Sequence, residues 1–155
     1  MRVWDRCDRH LLQLLQEDAL RTAEDLAREV PLSSSAIARR LRRMRDDGTI
    51  IADRAVVIEA VGPFLSALID VQLDCHALPQ VSGLLRRLEA RPQVQALMEV
   101  AGPFDLVLLV AVSGMTAFNT FADDALASEP TIRRYETRFM KHRRKYTAAW
   151  PIGAH

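Results

Sequence analysis

The chain has 155 residues, 49% hydrophobic and 26% charged, which allows one ordinary domain or two small ones and is far from a disordered composition. Its longest apolar run, residues 106–112, is too short to cross a bilayer, and no signal-peptide pattern opens the sequence. Cys7 and Cys75 form no CxxC pair and the four histidines are scattered, so we expect no disulfide framework, no metal site and no cofactor. A reduced, cytoplasmic compartment fits this composition best.

The net charge of +1 is very unevenly distributed along the chain. Residues 1–50 carry +1, residues 51–132 carry −6 and residues 133–155 carry +6. Two arginine-rich stretches therefore flank an acidic middle, and this asymmetry makes nucleic acid a partner worth testing.

Three short helices are predicted in the first fifty residues. Apolar residues recur at helical spacing over residues 4–15, and Thr22 with Asp25 has the spacing of an N-cap and its partner acid. Pro31 is expected to end this second helix. Ser33 then caps a third helix, which runs to residue 47 and ends at Gly48. The short turn between the second and third helices indicates a helix-turn-helix, placed at about Ala23–Arg42.

The rest of the chain predicts an α+β domain. Residues 50–61 are rich in Ile and Val and are expected to form a strand that links two domains. The following elements are predicted as strand 65–73, helix 78–90, strand 94–101, strand 106–112, helix 115–127 and strand 131–146. This β-α-β-β-α-β order is that of a ferredoxin-like sheet with helices on one face, and its apolar strands favour a dimer that covers the other face. The predicted division is residues 1–50, a linker strand at 51–63, and a second domain at 64–155.

The third helix has one buried and one strongly basic side. Ile37, Leu41 and Met44 fall on one stripe, and five arginines lie between Ser33 and Arg45 without an acid. Small side chains allow close approach to a major groove, and guanidinium groups suit phosphates and guanine edges. The residues expected to contact DNA are Ser34, Ser35, Ala38, Arg39, Arg42 and Arg43. The alternative is a solvated charged face, which the absence of acids for i,i+4 ion pairs weakens.

The basic residues near the C-terminus are less informative than those of the third helix. They are Arg133, Arg134, Arg138, Lys141, Arg143, Arg144 and Lys145. Placed on the last strand, they extend a DNA footprint or pair with the acidic middle of a neighbouring subunit, and the sequence leaves both possibilities open.

An ordered series of motifs resembles the Lrp/AsnC family of feast/famine transcriptional regulators over nearly the whole chain. The series is Asp5-x-x-Asp8, Leu11-Leu12-x-Leu14-Leu15-Gln16, Leu26-Ala27-x-x-Val30, Leu32-Ser33-x-x-x-Ile37, Arg40-x-x-Arg43-Met44, Gly48-x-Ile50 and Gly102-Pro103-Phe104-Asp105. The resemblance implies a winged helix-turn-helix joined by a strand to an ACT-like domain, called RAM in this family. It also implies homo-oligomers, dimers and often octamers, that bind double-stranded DNA and respond to an amino acid or another small molecule.

The resemblance places an effector site between regulatory domains. The residues it implies there are Gly102, Phe104, Asp105, Asp123, Tyr135 and Thr137. Asp105 has a second interpretation, because an aspartate in such a turn often bonds only nearby backbone amides.

Three departures from the family pattern bear on these expectations. Pro31 stands where the family commonly has glycine, so the turn of the helix-turn-helix must be built differently. Where the family has Thr-x-Thr, this chain has Tyr135-Glu136-Thr137, and the tyrosine would partly fill an amino-acid pocket. The Pro-Gly-Val pattern before it reads Pro130-Thr131-Ile132.

Two other functions compete with a ligand-responsive regulator. One is an architectural protein that coats DNA without an effector, which the arginine content and Tyr135 both permit. The other is an enzyme, because some relatives of this architecture resemble haem-precursor decarboxylases. The second domain offers only His76, His142 and His155, with no acid–base motif around them, so we predict that the protein is not an enzyme.

Overall fold

The computed structural model describes residues 4–53, 62–74 and 77–152, which divide into two compact units. The first unit contains residues 4–53 and 145–152, and the second contains residues 62–74 and 77–144. In the described part of the chain, no helix combines the length and apolar character needed to cross a membrane.

The first unit is built on three capped helices, α1 (Arg6–Glu17), α2 (Ala23–Leu26) and α3 (Ser34–Asp46). The Thr22 hydroxyl accepts from the Asp25 amide and the Asp25 carboxylate accepts from the Thr22 amide, which confirms the predicted capping pair. Ser33 caps α3, and Gly48, whose φ of +77° suits glycine, follows its end as predicted.

Helix α2 is shorter than predicted, because it ends at Leu26 and not at Pro31. The amides of Arg28 and Glu29 donate to carbonyls three residues back, so the chain tightens after one helical turn. Among the described residues, positive φ occurs only at glycines. The connection to α3, which contains Pro31, is therefore built without the left-handed residue that a glycine turn uses.

A single apolar cluster holds these helices together. Leu11 from α1, Leu26 from α2 and Ile37 from α3 are each fully buried within it. The predicted stripe of Ile37, Leu41 and Met44 lies in this core, as the helical spacing indicated. Cys7 packs against the cluster and is partly buried.

The second unit is a four-stranded antiparallel sheet in the order β2-β3-β1-β4, with the predicted β-α-β-β-α-β connectivity. Its elements are β1 (Leu65–Leu73), α4 (Leu78–Glu89), β2 (Val94–Glu99), β3 (Leu106–Val112), α5 (Met115–Ala122), a π-helical segment (Asp123–Ala127) and β4 (Ile132–Phe139). Alternate residues of β1 and β3 are buried in one core with residues of α4 and α5. This arrangement is the expected ferredoxin-like fold.

Strand β4 ends at Phe139, whereas the sequence predicted a strand to residue 146. Its partner β1 begins at Leu65, so the ladder closes with a hydrogen bond from the Met140 amide to the Ser66 carbonyl. Lys141, Arg143, Arg144 and Lys145 are therefore not strand residues.

Two of the three basic side chains of β4 have acidic partners within their own unit. Arg138 donates to the Asp70 carboxylate at 2.6 Å, and Arg134 donates to Glu136 at 2.8 Å. Neither pair requires the acidic middle of a neighbouring subunit, which was one of the two roles left open for these residues.

The chain's last described segment differs from the predicted domain division. Residues 145–152 group with the first unit, whereas the sequence placed them with the second. The Gln16 side chain makes two hydrogen bonds to the backbone of Trp150, accepting from its amide at 2.6 Å and donating to its carbonyl at 3.1 Å. Of the predicted linker strand, residues 51–53 are not strand and residues 54–61 lie outside the described residues, as do Cys75, His76 and His155.

Leu11→Ala tests the core of the first unit. Leu11 is fully buried, so we expect a loss of about 2–5 kcal/mol in the free energy of unfolding, measured by chemical denaturation. Leu20→Ala is the matched control, because Leu20 is 89% exposed and its truncation should change stability by less than about 0.5 kcal/mol. Equal effects of the two substitutions would contradict this description of the core.

Candidate nucleic-acid interface and effector site

Helix α3 presents one continuous exposed side. All six residues predicted to contact DNA are exposed, and they alternate along the helix with the three buried residues of its inner stripe. The six are Ser34, Ser35, Ala38, Arg39, Arg42 and Arg43. The helix begins with small side chains and its arginines follow, so its first turn is narrow enough for close approach to a surface.

Two arginines on this side have no partner within the part of the chain that the structure describes. Arg39 and Arg42 form no ion pair or hydrogen bond with any residue that the structure describes, whereas Arg40, Arg43 and Arg45 all do. An unpaired guanidinium keeps all five of its donors for another molecule. Arg39 and Arg42 are therefore the cations of α3 that are available to phosphate oxygens or base edges.

Arg40 is held by two aspartates of the first helix. Its Nη1 atom donates to Oδ2 of Asp5 at 2.5 Å and to Oδ1 of Asp8 at 2.7 Å. The other oxygen of Asp5 caps α1 by accepting from the Asp8 amide at 2.7 Å. Asp8 is 4% exposed, so this ion pair joins α1 to α3 in a largely buried position.

Arg43 is shared between this cluster and solvent. Its Nη2 atom lies 3.4 Å from Oδ1 of Asp8, and its side chain is 48% exposed. Arg45 pairs with Asp53 at 3.2 Å. These ion pairs between elements were not predicted, because the sequence was searched for ion pairs within α3 alone. The available signal for them was Asp5-x-x-Asp8, whose spacing puts both carboxylates at the start of α1.

The pairing of Asp5 with Arg40 shifts the pKa values of both groups. Hydrogen bonding to Arg40, followed by the bond from the Asp8 amide, lowers the pKa of Asp5 below its usual value. The two carboxylates raise the pKa of Arg40 above its already high value. The pairing therefore favours the charged forms of Asp5 and Arg40, and the positive charge of Arg40 lies beside negative charge.

In the second unit, the turn between β2 and β3 is fastened to the end of β1. The Asp105 amide donates to the Val71 carbonyl at 2.9 Å, and its Oδ2 accepts from the Leu73 amide at 2.8 Å. Gly102 has a φ of +153°, which disfavours any other residue, and the space beside its Cα is open. The amide that Asp105 binds belongs to Leu73 on β1 and not to the turn itself, and the contact of Asp105 with a ligand stays a prediction.

The predicted effector residues do not share one surface of the sheet. Phe104 lies under the Arg134 guanidinium, 5.0 Å from it, and Arg134 also donates to Gln72 at 2.8 Å. Tyr135 and Thr137 alternate with exposed residues along β4 and point to the helix-covered face. Arg134 was not predicted for this site, although strand alternation next to Tyr135 was the available signal.

Asp123 stands at the end of α5, where the π-helical segment begins. Its side chain is exposed and bonds none of the other predicted effector residues in the described part of the chain. Within residues 4–53, 62–74 and 77–152, no group of three or more His, Cys, Asp or Glu side chains is placed to hold a metal ion.

Two family models match the chain, one for each unit. Residues 5–45 match the AsnC-type helix-turn-helix domain, and residues 66–150 match the Lrp/AsnC ligand-binding domain. The first match includes α1, α2 and α3, and the second includes nearly all of the four-stranded sheet.

Relatives and solved structures agree with these models. The chain is 29% identical to the DNA-binding transcriptional activator DecR of Escherichia coli K12, covering 96% of this chain and 98% of DecR. An AsnC family regulator from Agrobacterium tumefaciens superposes with a TM-score of 0.84 at 27% identity, covering 96% of this chain and 97% of that one. A Neisseria meningitidis transcriptional regulator, solved as a complex with L-Met, superposes with a TM-score of 0.84 at 28% identity, covering 97% and 98%. The chain therefore belongs to the Lrp/AsnC family of transcriptional regulators.

Proposed function

We propose that this protein binds double-stranded DNA as a homo-oligomer in the cytoplasm, through the exposed side of α3, and that a small molecule bound by its second unit modulates that binding. The small molecule is an amino acid or a compound of similar size. The protein is a regulator and not an enzyme. The observation that carries the DNA-binding role is the pair of unpartnered arginines, Arg39 and Arg42, on an exposed helix that begins with small residues.

The proposed interface is the six-residue side of α3 already described. In a helix-turn-helix, the N-terminal residues of the second helix meet base edges and later residues meet the backbone. Ser34, Ser35 and Ala38 occupy the first of these positions, and Arg39 and Arg42 extend toward the phosphates. Arg43 lies beside them and is shared with Asp8. Arginine forks suit both phosphate oxygens and the guanine edge.

The open face of the sheet supports the homo-oligomer. Leu68, Val107 and Leu109 lie on the side that the helices leave uncovered, next to Met98, which is 44% exposed. A contiguous apolar surface of this kind is unfavourable in water and typically marks an interaction site. A second copy of the same sheet is the partner that we propose for it.

The effector role rests on the regulatory fold and on one neighbour. The Neisseria meningitidis structure contains L-Met, so a chain of the same fold can hold an amino acid. We place the effector near Gly102, Phe104 and Asp105, with Asp123, Tyr135 and Thr137 as the further predicted binding residues. Because Tyr135 packs against the core of its own unit, its bulk limits the size of ligand that fits beside β4.

An enzymatic role has little support from the residues that would perform it. In the described part of the second unit the only histidine is His142, which is exposed and lies beyond the end of β4. General acid–base catalysis requires groups that converge on a substrate, and His142 has no such partner in a described site.

Arg39→Ala and Arg42→Ala test the DNA-binding surface. Each substitution should weaken binding to a duplex selected by the wild-type protein from a random library, and should reduce the slope of log affinity against log salt by about 0.9 for each phosphate that the arginine neutralises. An arginine that also bonds a base edge should contribute about 1–3 kcal/mol to discrimination between duplexes, and its removal should abolish that contribution. Fluorescence anisotropy over a salt series measures both quantities.

The matched control is Arg86→Ala, which removes the same charge from an exposed position on α4 in the second unit. It should leave the salt slope unchanged. If all three variants bind like the wild type with the same slope, α3 is a solvated helix face and the proposed interface is wrong.

A thermal-shift screen of amino acids, starting with L-methionine, tests the effector. A ligand that binds only the folded protein stabilises it by about 2.7 kcal/mol at a concentration of 100 Kd, so its shift should grow with concentration. Tyr135→Thr should change which amino acid gives the largest shift, because it opens space beside β4. No shift in either protein, together with weak discrimination among duplexes, would favour the architectural alternative.

Leu109→Lys tests the proposed sheet-to-sheet interface. A lysine in the middle of that interface would be desolvated without a partner, so sedimentation should show a smaller species than for the wild type. Leu78→Lys is the control, because Leu78 is 80% exposed on α4 and should leave the sedimentation coefficient unchanged. Equal behaviour of the two variants would place the interface elsewhere.

A further inference from the structure

The geometry points to Asp8 as a specificity-determining positioning residue: we propose that its carboxylate restrains Arg40 and Arg43 and thereby limits the affinity of α3 for DNA of any sequence. This inference rests on the proposed DNA-binding function. It adds a role for α1, since Asp8 itself would not touch DNA.

Asp8 is almost completely buried. A carboxylate that is only 4% exposed needs cations and hydrogen bonds around it, and the structure supplies them from α3. Arg40 lies at the short distance of 2.7 Å and Arg43 at the longer distance of 3.4 Å. Arg40 and Arg43 therefore share one carboxylate, so the position of each arginine affects how strongly Asp8 holds the other.

The cluster formed by Asp5, Asp8, Arg40 and Arg43 contains as much negative as positive charge. Two carboxylates of α1 and its N-cap face two guanidinium groups of α3, so the cluster is neutral although half of it lies on the helix that carries the proposed interface. Arg40 has two partners and a side chain only 24% exposed, and Arg43 has one partner and is half exposed. Arg40 is thus withheld from solution, and Arg43 is divided between Asp8 and solution.

The restraint of Arg40 and Arg43 affects how well α3 discriminates between DNA sequences. Phosphates are the same on every duplex, so each arginine freed to reach them raises the affinity for all sequences alike. Sequence information comes from base-edge contacts, which require α3 to sit at one fixed angle in the groove. By holding the middle of α3 to the first turn of α1, Asp8 fixes the helix and at the same time reduces its indiscriminate attraction to DNA.

Asp8→Asn in the full-length chain is the test. Asparagine has the same shape but no charge, so Arg43 should move to the phosphates and the salt slope should steepen by about 0.9. The ratio of affinities for the selected duplex and a scrambled duplex of the same composition should fall. A purely structural role would instead lower both affinities by the loss of folded protein and leave the slope unchanged.

Asp46→Asn is the control for net charge. Asp46 lies at the end of α3, is exposed and pairs with no described residue, so its substitution makes the same change in net charge as Asp8→Asn without freeing an arginine. The slope of this variant should match the wild type. If Asp46→Asn steepens the slope as much as Asp8→Asn, net charge alone explains the effect and the inference is overturned.

A second variant keeps the test valid if Asp8→Asn does not fold. Asp5→Asn changes a half-exposed residue, and asparagine caps a helix as well as aspartate does, so α1 is preserved. Arg40 then relies on Asp8 alone and displaces Arg43 from it, which should steepen the slope, by less than about 0.9. An unchanged slope here would overturn the inference.

DNA binding by α3 and the proposed role of Asp8 can be refuted independently of each other. If Arg39→Ala and Arg42→Ala weaken binding and the aspartate variants behave like Asp46→Asn, α3 still binds DNA and only the role of Asp8 is refuted. If none of the α3 arginines affects binding, the proposed function itself fails.

Discussion

The buried carboxylate of Asp8 is the constraint that decides which arginines of the first unit are paired and which stay available to a partner. Removing this charge from water is unfavourable unless cations surround it, and α3 supplies Arg40 and Arg43 for that purpose. The pairing joins two helices that are far apart in sequence, and it divides the arginines of α3 into two groups. Those that face α1 are neutralised, and Arg39 and Arg42 remain on the outer side with their donors unused. The same ion pairs that stabilise the helix-turn-helix thus determine which of its charges are available to a partner.

The second unit shows similar local pairing, which the near-zero net charge of the chain does not reveal. The basic strand β4 adjoins β1, and Arg138 finds its partner in Asp70 on that strand. Arg134 and Arg138 of β4 are therefore paired with acids of their own unit, whereas Arg39 and Arg42 of α3 have no such pair among the described residues. The net charge alone concealed this difference, because it counts a paired and an unpaired arginine equally. For DNA binding, the relevant quantity is the charge left unpaired on one exposed surface.

Much of the fold was predictable because its signals are local. The N-caps Thr22 and Ser33, the glycine after α3 and the bounds of β1 and β3 each depend on a few neighbouring residues, and these predictions are confirmed. The errors arose where distant residues decide the outcome. Strand β4 ends at Phe139 because its pairing with β1 stops at Ala67, near the start of β1, and Asp8 reaches Arg40 across 32 positions. For the effector site, the order of motifs identified the turn at 102–105, but only the sheet shows that Phe104 and Tyr135 lie on different faces of it.

The structure of the protein bound to its selected duplex is the most direct test of the central claim. The account predicts that Arg39 and Arg42 lie within about 3 Å of phosphate oxygens or base edges. Arg40 should remain on Asp5 and Asp8, as it is in the absence of DNA. A complex in which Arg40 leaves both aspartates for the DNA, or in which α3 lies outside the groove, would contradict the account.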